Sequence, residues 1–516
     1  MRILFIRNSC TLMSHSQLGY GMGIVATIAH AAGHEVKAID NNTLYKFYKN
    51  KDFFKIIKSY KPDIIAYGLT LHNAYETYQQ ISKLKIKFKN ITIIAGGIHM
   101  RHCFDEALRH GVDVVVNREG EKVIVPLLEH LERHGEDYKN DLDLIAGVSF
   151  VRQDGRFHFS KEYPAVENLD DVPVVNYELF NIQDFIKTGT EAGLFYFTGQ
   201  RGCPFKCTFC SDAVHNLDKR CSSADWLFKN VRYLHEKYQV SYLLIADNNF
   251  TFPRKRAVEF CRKMIDSGLS KKLTFSCQTN TRFPLDEELV CLMREAGFCR
   301  INFGLERLTT YSLQKINKMQ PFQGVHDALT LVSKHNIDPS IFMMIGFPFE
   351  TEELLEQEKE LFLDLKKYTH RLFLSVLCPM PGTMYYDGSP KIKEWYLNRD
   401  AYLMFRAYFT NVLDMHTFNT IERNFFNLSK PVQHALKNYY LLFKKITHGS
   451  VFNKKTPLLS LCLNLDFLVA KISQACFYFS PSLEFFIFNH IKSLRYYAGN
   501  YFLSGYMLKK NLVADE

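Results

Sequence analysis

The run GQRGCPFKCTFCSD, residues 199–212, sets Cys203, Cys207 and Cys210 in a C-x3-C-x2-C array. Thiolates are soft ligands that suit zinc or iron–sulfur centres. A closed structural zinc site takes four protein ligands, and the nearest further donors, His215 and Cys221, form no recognised pair at this spacing. In a 4Fe–4S cluster each iron wants an outside ligand, so three cysteines leave one iron open to a substrate. The other ten of the thirteen cysteines stand singly. An odd count of this kind points to buried free thiols in a reducing compartment, not to a disulfide framework.

Other chemistry-bearing residues fall at the ends of apolar runs. GLTLHN (68–73) offers the hydroxyl of Thr70, and GGIHMRH (96–102) offers bare backbone at Gly96 and Gly97. Charged and amide groups follow in IADNNF (245–250), TNTRF (279–283) and FGLER (303–307). Singly, Asp247, Arg282 and Glu306 read as structural charges; in order at consecutive strand ends they read as a site.

Those residues need a scaffold, and the hydrophobic pattern supplies one. Residues 1–150 alternate apolar strands (2–6, 35–40, 63–70, 91–97 and 112–116) with helices at 23–33 and 74–88. Continuous apolar strands separated by helices predict a doubly wound parallel sheet, which binds ligands at the carboxyl ends of its strands. Residues 151–190 read as a hairpin, with Asp154-Gly155 at its turn, and an extended linker. Residues 191–390 repeat strand and helix six times, which predicts a parallel βα barrel, complete or partial, with functional loops at the same strand ends. Residues 391–516 read as a helical region without strand alternation. That stretch holds 16 Lys and Arg against 8 Asp and Glu, most of the chain's net charge of +10, and 25 of the 73 aromatics.

The composition, 47% hydrophobic and 23% charged, is that of a globular protein with a substantial core. No apolar run of 18 residues predicts a transmembrane helix, and MRILFIRNSC reads as a strand, not a secretory signal. The expected location is the cytoplasm. For 481–502, apolar with basic edges, a helical cap is the first reading, and a lid for a greasy substrate or a peripheral membrane contact the second.

With the aromatic Phe209 before its last cysteine, the triplet resembles the signature of the radical S-adenosylmethionine (SAM) family. The resemblance implies a 4Fe–4S cluster on Cys203, Cys207 and Cys210 whose open iron chelates SAM, and cleavage of SAM to a 5′-deoxyadenosyl radical. It further implies SAM contacts at Asp247, Arg282, Glu306 and Gly346, the last in MIGFPFET (344–351), and PMPGT (379–383) resembles the element closing the family core. Arg307 departs from the family pattern, which has Ser after the Glu. The amino-terminal domain resembles the cobalamin-binding domains fused ahead of such barrels: QLGYG (17–21), GLTLHN, GGIHM and REGEK (118–122) match their motifs. This implies cobalamin contacts at Leu18, Gly19, Thr70, Leu71, Gly96, Gly97, Gly120 and Glu121. Arg118 replaces a Gly, and the histidine motif that ligates cobalt from below is absent.

The fused family implies methyl transfer, by way of that radical and methylcobalamin, to an unactivated carbon of a hydrophobic or secondary-metabolite substrate. No side chain is nominated as acid or base. The implied partners are a small, lipid-like or other apolar substrate and a low-potential electron donor such as flavodoxin or ferredoxin, with no nucleic acid. A cyclase or rearrangement enzyme of the anaerobic cyclase type is the alternative. A transfer-RNA methylthiotransferase would need three further cysteines in the first domain, which has only Cys10 and Cys103, and a cobalamin sensor would have no use for the triplet.

Overall fold

The computed structural model describes residues 1–8, 18–41, 50–182, 195–215, 219–282, 285–318, 320–369, 371–377, 379–387, 431–432 and 435. The chain divides into two compact units, Met1–Thr447 and His448–Glu516, and the described residues all belong to the first. The expected helical region 391–516 therefore lies outside the described residues, apart from 431–432 and 435.

The first sheet has seven strands: β1 (Arg2–Arg7), β2 (Glu35–Asp40), β3 (Ile64–Gly68), β4 (Thr92–Gly96), β5 (Val114–Val116), β6 (Val148–Val151) and β7 (Phe157–His158). Their order is β2-β1-β3-β4-β5-β6-β7. Strands β1 to β5 are parallel, as the apolar runs predict, because both faces are covered. Along β1, Ile3 and Phe5 enter one core while Leu4 and Ile6 enter the other. Helices Tyr20–Ala31 and Ile124–His134 close the first face through Ile24, Leu127 and Leu131. Helices Asn50–Tyr60, Leu71–Lys87 and Phe104–Arg109 close the second through Phe53, Ile57, Ile81 and Leu108. Each such buried side chain contributes roughly 1.5–3 kcal/mol relative to exposure.

The expected hairpin begins at Val148, earlier than position 151, and extends the sheet because β6 pairs antiparallel with β5. The segment after it is a packed strap more than a linker: Val166, Leu169, Val172, Val175, Tyr177 and Phe180 are all buried in the first core. Trp226 Nε1 donates to Val172 O at 2.8 Å, fastening the strap to the second domain.

That domain is a six-stranded parallel sheet, a partial barrel, built from β8 (Tyr196–Phe197), β11 (Tyr242–Ile245), β12 (Thr274–Thr279), β13 (Phe298–Glu306), β14 (Asp338–Ile345) and β15 (Arg371–Val376), adjacent in chain order. Between β8 and β11 lies an antiparallel ribbon of β9 (Gln200–Arg201) and β10 (Arg220–Cys221). Ser223, Asp286 and Thr351 cap the helices that follow them, each accepting a backbone N–H within its first turn, worth about 1 kcal/mol apiece. The first core runs without a break from Ile3 to Phe197 and Ile245, so the two sheets share apolar packing.

Candidate functional site

The strand order turns between β1 and β3, and in an open sheet that is where the crevice opens. A cleft of about 520 Å³ lies there. One wall is made by the strand ends of the first sheet, with Gly19, Gly21, Gly68, Thr70, Gly96, Gly97, Gly120 and Glu121. Thr198, Gln200, Arg201, Gly202, Asp212, Ala246 and Asn248 of the barrel make the opposite wall. Most residues expected at cobalamin thus share one space with Gly202 and Asp212, which flank the cysteine loop; Cys203, Cys207 and Cys210 do not line it. Leu18 and Leu71 do not line it; they are buried in the core.

The glycines of this wall differ in what they do. A Cβ on Gly21 would meet nothing within 4 Å, and one on Gly68 or Gly96 would make ordinary contacts at 3.6 and 3.8 Å. These positions line the cleft with backbone bare of side chains, which suits a bulky cofactor. Gly97 is different: its φ is +104°, and a Cβ there would stand 2.4 Å from the Leu69 carbonyl oxygen. Close approach of two loops explains Gly97, whatever lies in the cleft.

The cysteine loop leaves β9 through Gly202, whose φ of +80° turns the chain into Cys203. Cys203, Cys207 and Cys210 are half-buried free thiols. Phe209 wedges against Phe347, ring centroids 6.1 Å apart, and Thr208 N donates to Ile316 O at 3.0 Å. Burial pushes the Cys207 thiol up and the Cys210 thiol up to about 12. Such thiols are deprotonated by a bound metal centre, not by solvent, and a soft three-sulfur donor set fits the iron–sulfur reading. Lys318, Glu306 and Arg282 stand within electrostatic range of Cys207, so the fold gathers two of the expected SAM contacts beside the cluster loop.

The other two expected contacts are engaged within the protein. Asp247 is fully buried, and its Oδ1 accepts from Gly199 N at 2.7 Å and Thr198 Oγ1 at 3.0 Å. Its Oδ2 accepts from Arg256 at 2.6 Å, and Arg256 also donates to Ser222 O and Gly199 O. Asp247 therefore pins the start of the cysteine loop. Gly346, with φ +89°, gives its N–H to Glu350 Oε2 at 2.9 Å. Of the charged and amide groups in IADNNF, the sequence singles out only Asp247; the amides beside it lie nearer the site, since Asn248 lines the cleft and Asn249 Nδ2 stands 3.5 Å from Cys203 Sγ.

Glu306 follows a register shift at the end of β13 and holds a left-handed φ of +65°, a conformation costing about 1–3 kcal/mol. Lys318 Nζ approaches its carboxylate at 3.4 Å. Arg307, the departure from the family pattern, turns away from the cleft: it is 1% exposed and pairs with Glu350 and Glu358.

An ion-pair cluster joins the two walls. Arg201, one residue before Gly202, forms an ion pair with Glu119 at 2.7 Å and donates to Glu121; Arg220 pairs with the same Glu119. Val166 N of the strap donates to Glu119 Oε2 at 3.0 Å. Burial alone would raise the Glu119 carboxyl, but hydrogen bonding from Arg220 and the charge of Arg201 hold it below its ordinary value. Glu121, expected at cobalamin, lines the cleft and spends its carboxylate on Arg201.

Comparison with known proteins gives a consistent picture. Residues 18–128 match the B12 binding domain and residues 197–362 the radical SAM superfamily. An uncharacterized methyltransferase of Pyrococcus horikoshii is 28% identical over 362 residues, 69% of this chain and 74% of the relative. The anaerobic magnesium-protoporphyrin IX monomethyl ester cyclase of Rubrivivax gelatinosus is 24% identical over 60% of this chain, and the match spans about half of the cyclase, 55%. Among solved structures, the radical S-adenosylmethionine methyltransferase TsrM of Kitasatospora setae superposes with a TM-score of 0.60, at 15% identity, over 75% of each chain.

Proposed function

Because the chain belongs to the radical SAM proteins that carry a B12-binding domain, with a 4Fe–4S cluster, SAM and cobalamin as its cofactors, we propose that it transfers a methyl group to an unactivated carbon of a hydrophobic or secondary-metabolite substrate. When bound, these cofactors supply hydrogen abstraction and a transferable methyl group, the chemistry that side chains lack. The observation that carries the reading is the shared cleft, which sets the backbone at Gly21, Gly68 and Gly96 opposite Gly202 and Asp212, the residues that flank the cysteine loop.

In this reading Cys203, Cys207 and Cys210 hold the cluster, and Asn249, Arg282 and Glu306 surround SAM. Asp247 and the Glu119–Arg201 pair fix the loop and keep the reacting groups oriented, while the strap through Leu169 and Val172 helps seal the cleft from water. An external donor of flavodoxin or ferredoxin type is the proposed electron source.

A second reading, ring closure, is favoured by the likeness to the cyclase of Rubrivivax gelatinosus. One experiment separates the two. Anaerobically reconstituted protein is given reductant, SAM labelled in its methyl group, and extract from cells lacking the protein. A product carrying the label supports methyl transfer. A product that lacks the label and has lost hydrogens supports ring closure, and no SAM-dependent product sinks both.

A further inference from the structure

The motif GGIHMRH leads into a cluster that the cleft does not use. Its Ile98–Arg101 turn and the helix Phe104–Arg109 bring His99, Cys103 and Glu106 onto one face, at intervals of four and three residues. Cys103 N donates to His99 O at 3.1 Å, continuing one helical path through the two elements. Among the described residues, these three each offer one ligand atom, and the atoms lie within 4.8 Å of one another. His99 and Cys103 are buried and Glu106 is half-buried.

A second observation concerns the imidazole itself. Nε2, in a side chain 2% exposed, lies 2.9 Å from Glu106 Oε1, near the separation of two neighbouring ligand atoms on one ion. Tyr78 Oη, also buried, stands against the same Glu106 carboxylate and Cys103 thiol.

We infer that His99, Cys103 and Glu106 bind a single thiophilic divalent cation, of which zinc is the natural representative, separate from the iron–sulfur cluster. The donor types suit it: zinc takes sulfur at about 2.3 Å, imidazole nitrogen at about 2.0 Å and carboxylate oxygen at about 2.0–2.2 Å. Tetrahedral ligands at those bond lengths stand about 3.3–3.8 Å apart, so the donors need close by little more than an ångström. On binding, the S–H bond of Cys103 breaks, its proton leaves to solvent, and the thiolate pair forms the bond to the ion.

The place suggests the role. Tyr386 Oη, from the helix after β15, lies 3.9 Å from Cys103 Sγ. A Cβ on Gly382 would stand 2.5 Å from the His102 ring. The cluster thus lies at the seam where the first domain meets the end of the barrel, and an ion there fixes the first domain's side of that contact.

The test uses the full chain. Cluster-loaded wild type and a cluster-free C203A/C207A/C210A variant are titrated with Zn(II), and with Co(II) to read thiolate ligation by absorption. The expected result is one equivalent bound in both proteins, with a cobalt–thiolate band. Cys103→Ser should abolish that band, and His99→Gln should weaken zinc at least about tenfold, while Cys221→Ser changes nothing. Retained cobalamin binding verifies that each variant is folded. Failure of the cluster-free variant to bind one equivalent would overturn the inference, since zinc in wild type alone would belong to the cluster cysteines. So would full retention by Cys103→Ser, or absence of zinc uptake by the wild type, a result that needs no variant at all.

Discussion

Arg201 Nη1 stands 2.7 Å from Glu119 Oε2, joining the residue that precedes the cysteine loop to the strand end expected to face cobalamin. Arg201 is 18% exposed and Glu119 8%, so the pair works in a largely dry setting. Removing one partner of such a pair strands the other and costs about 3 kcal/mol. Glu119→Ala should lower stability by that amount, measured by denaturant unfolding. Arg201→Gln should keep the cluster's iron content yet change the magnetic coupling between reduced cluster and cobalt, read by electron paramagnetic resonance. An unchanged coupling would show that the pair stabilises without positioning.

The same pair gives a pH dependence. Its folded carboxyl is held below its ordinary value, so it contributes stability above the unfolded pKa of about 4.5 and loses it as pH falls through the folded value. The stability gap between wild type and Glu119→Gln should be flat from neutral pH to about 5 and shrink below about 4.5. A gap that grows on acidification would contradict the sign.

Asp247 and Asn249 should part company. Asp247→Asn strands the buried Arg256 and should cost about 3 kcal/mol of stability. Asn249→Ala leaves the buried Asn280 amide without its acceptor and should cost about 1–3 kcal/mol, yet also weaken SAM binding by roughly tenfold, measured by equilibrium dialysis on cluster-loaded protein that is still folded. Unchanged SAM binding by folded Asn249→Ala would return Asn249 to a structural role.

For cobalamin, two glycines make the comparison. Gly21→Trp projects into open cleft space and should reduce hydroxocobalamin binding while shifting stability by no more than about 0.5 kcal/mol. Gly97→Ala should destabilise by about 3 kcal/mol without cobalamin present, because its Cβ meets the Leu69 backbone. Normal cobalamin binding by Gly21→Trp would remove the cofactor from this cleft.

At the cluster, Cys203→Ala, Cys207→Ala and Cys210→Ala combined should reduce reconstituted iron and sulfide to background, whereas Cys221→Ser should retain both. Cys221 sits in β10, paired with Gln200 and not with the loop. Full iron content in the triple variant would refute the assignment.

Much of this was legible before any coordinate. Apolar strands such as RILFIR and IIAYG announce a covered parallel sheet because continuous burial leaves no polar face to place. The triplet announces its metal because ligand spacing within one loop is a local property. The strand-end motifs announce the cleft because parallel topology brings all carboxyl ends to one edge.

What the sequence determined by itself is thus whatever neighbours along the chain decide: strands, caps, the cysteine loop and the glycine turns. Only the tertiary structure decided which motif residues face the cleft. Asp247 turned inward because Arg256, on the next helix, met it in the core. Arg307 did so because Glu350 and Glu358 arrived from β14's loop and the helix beyond. Glu119 and Arg201 lie 82 positions apart in the sequence, and no period or spacing connects them. A charge removed from water must find its partner in three dimensions, and packing alone chooses which one arrives.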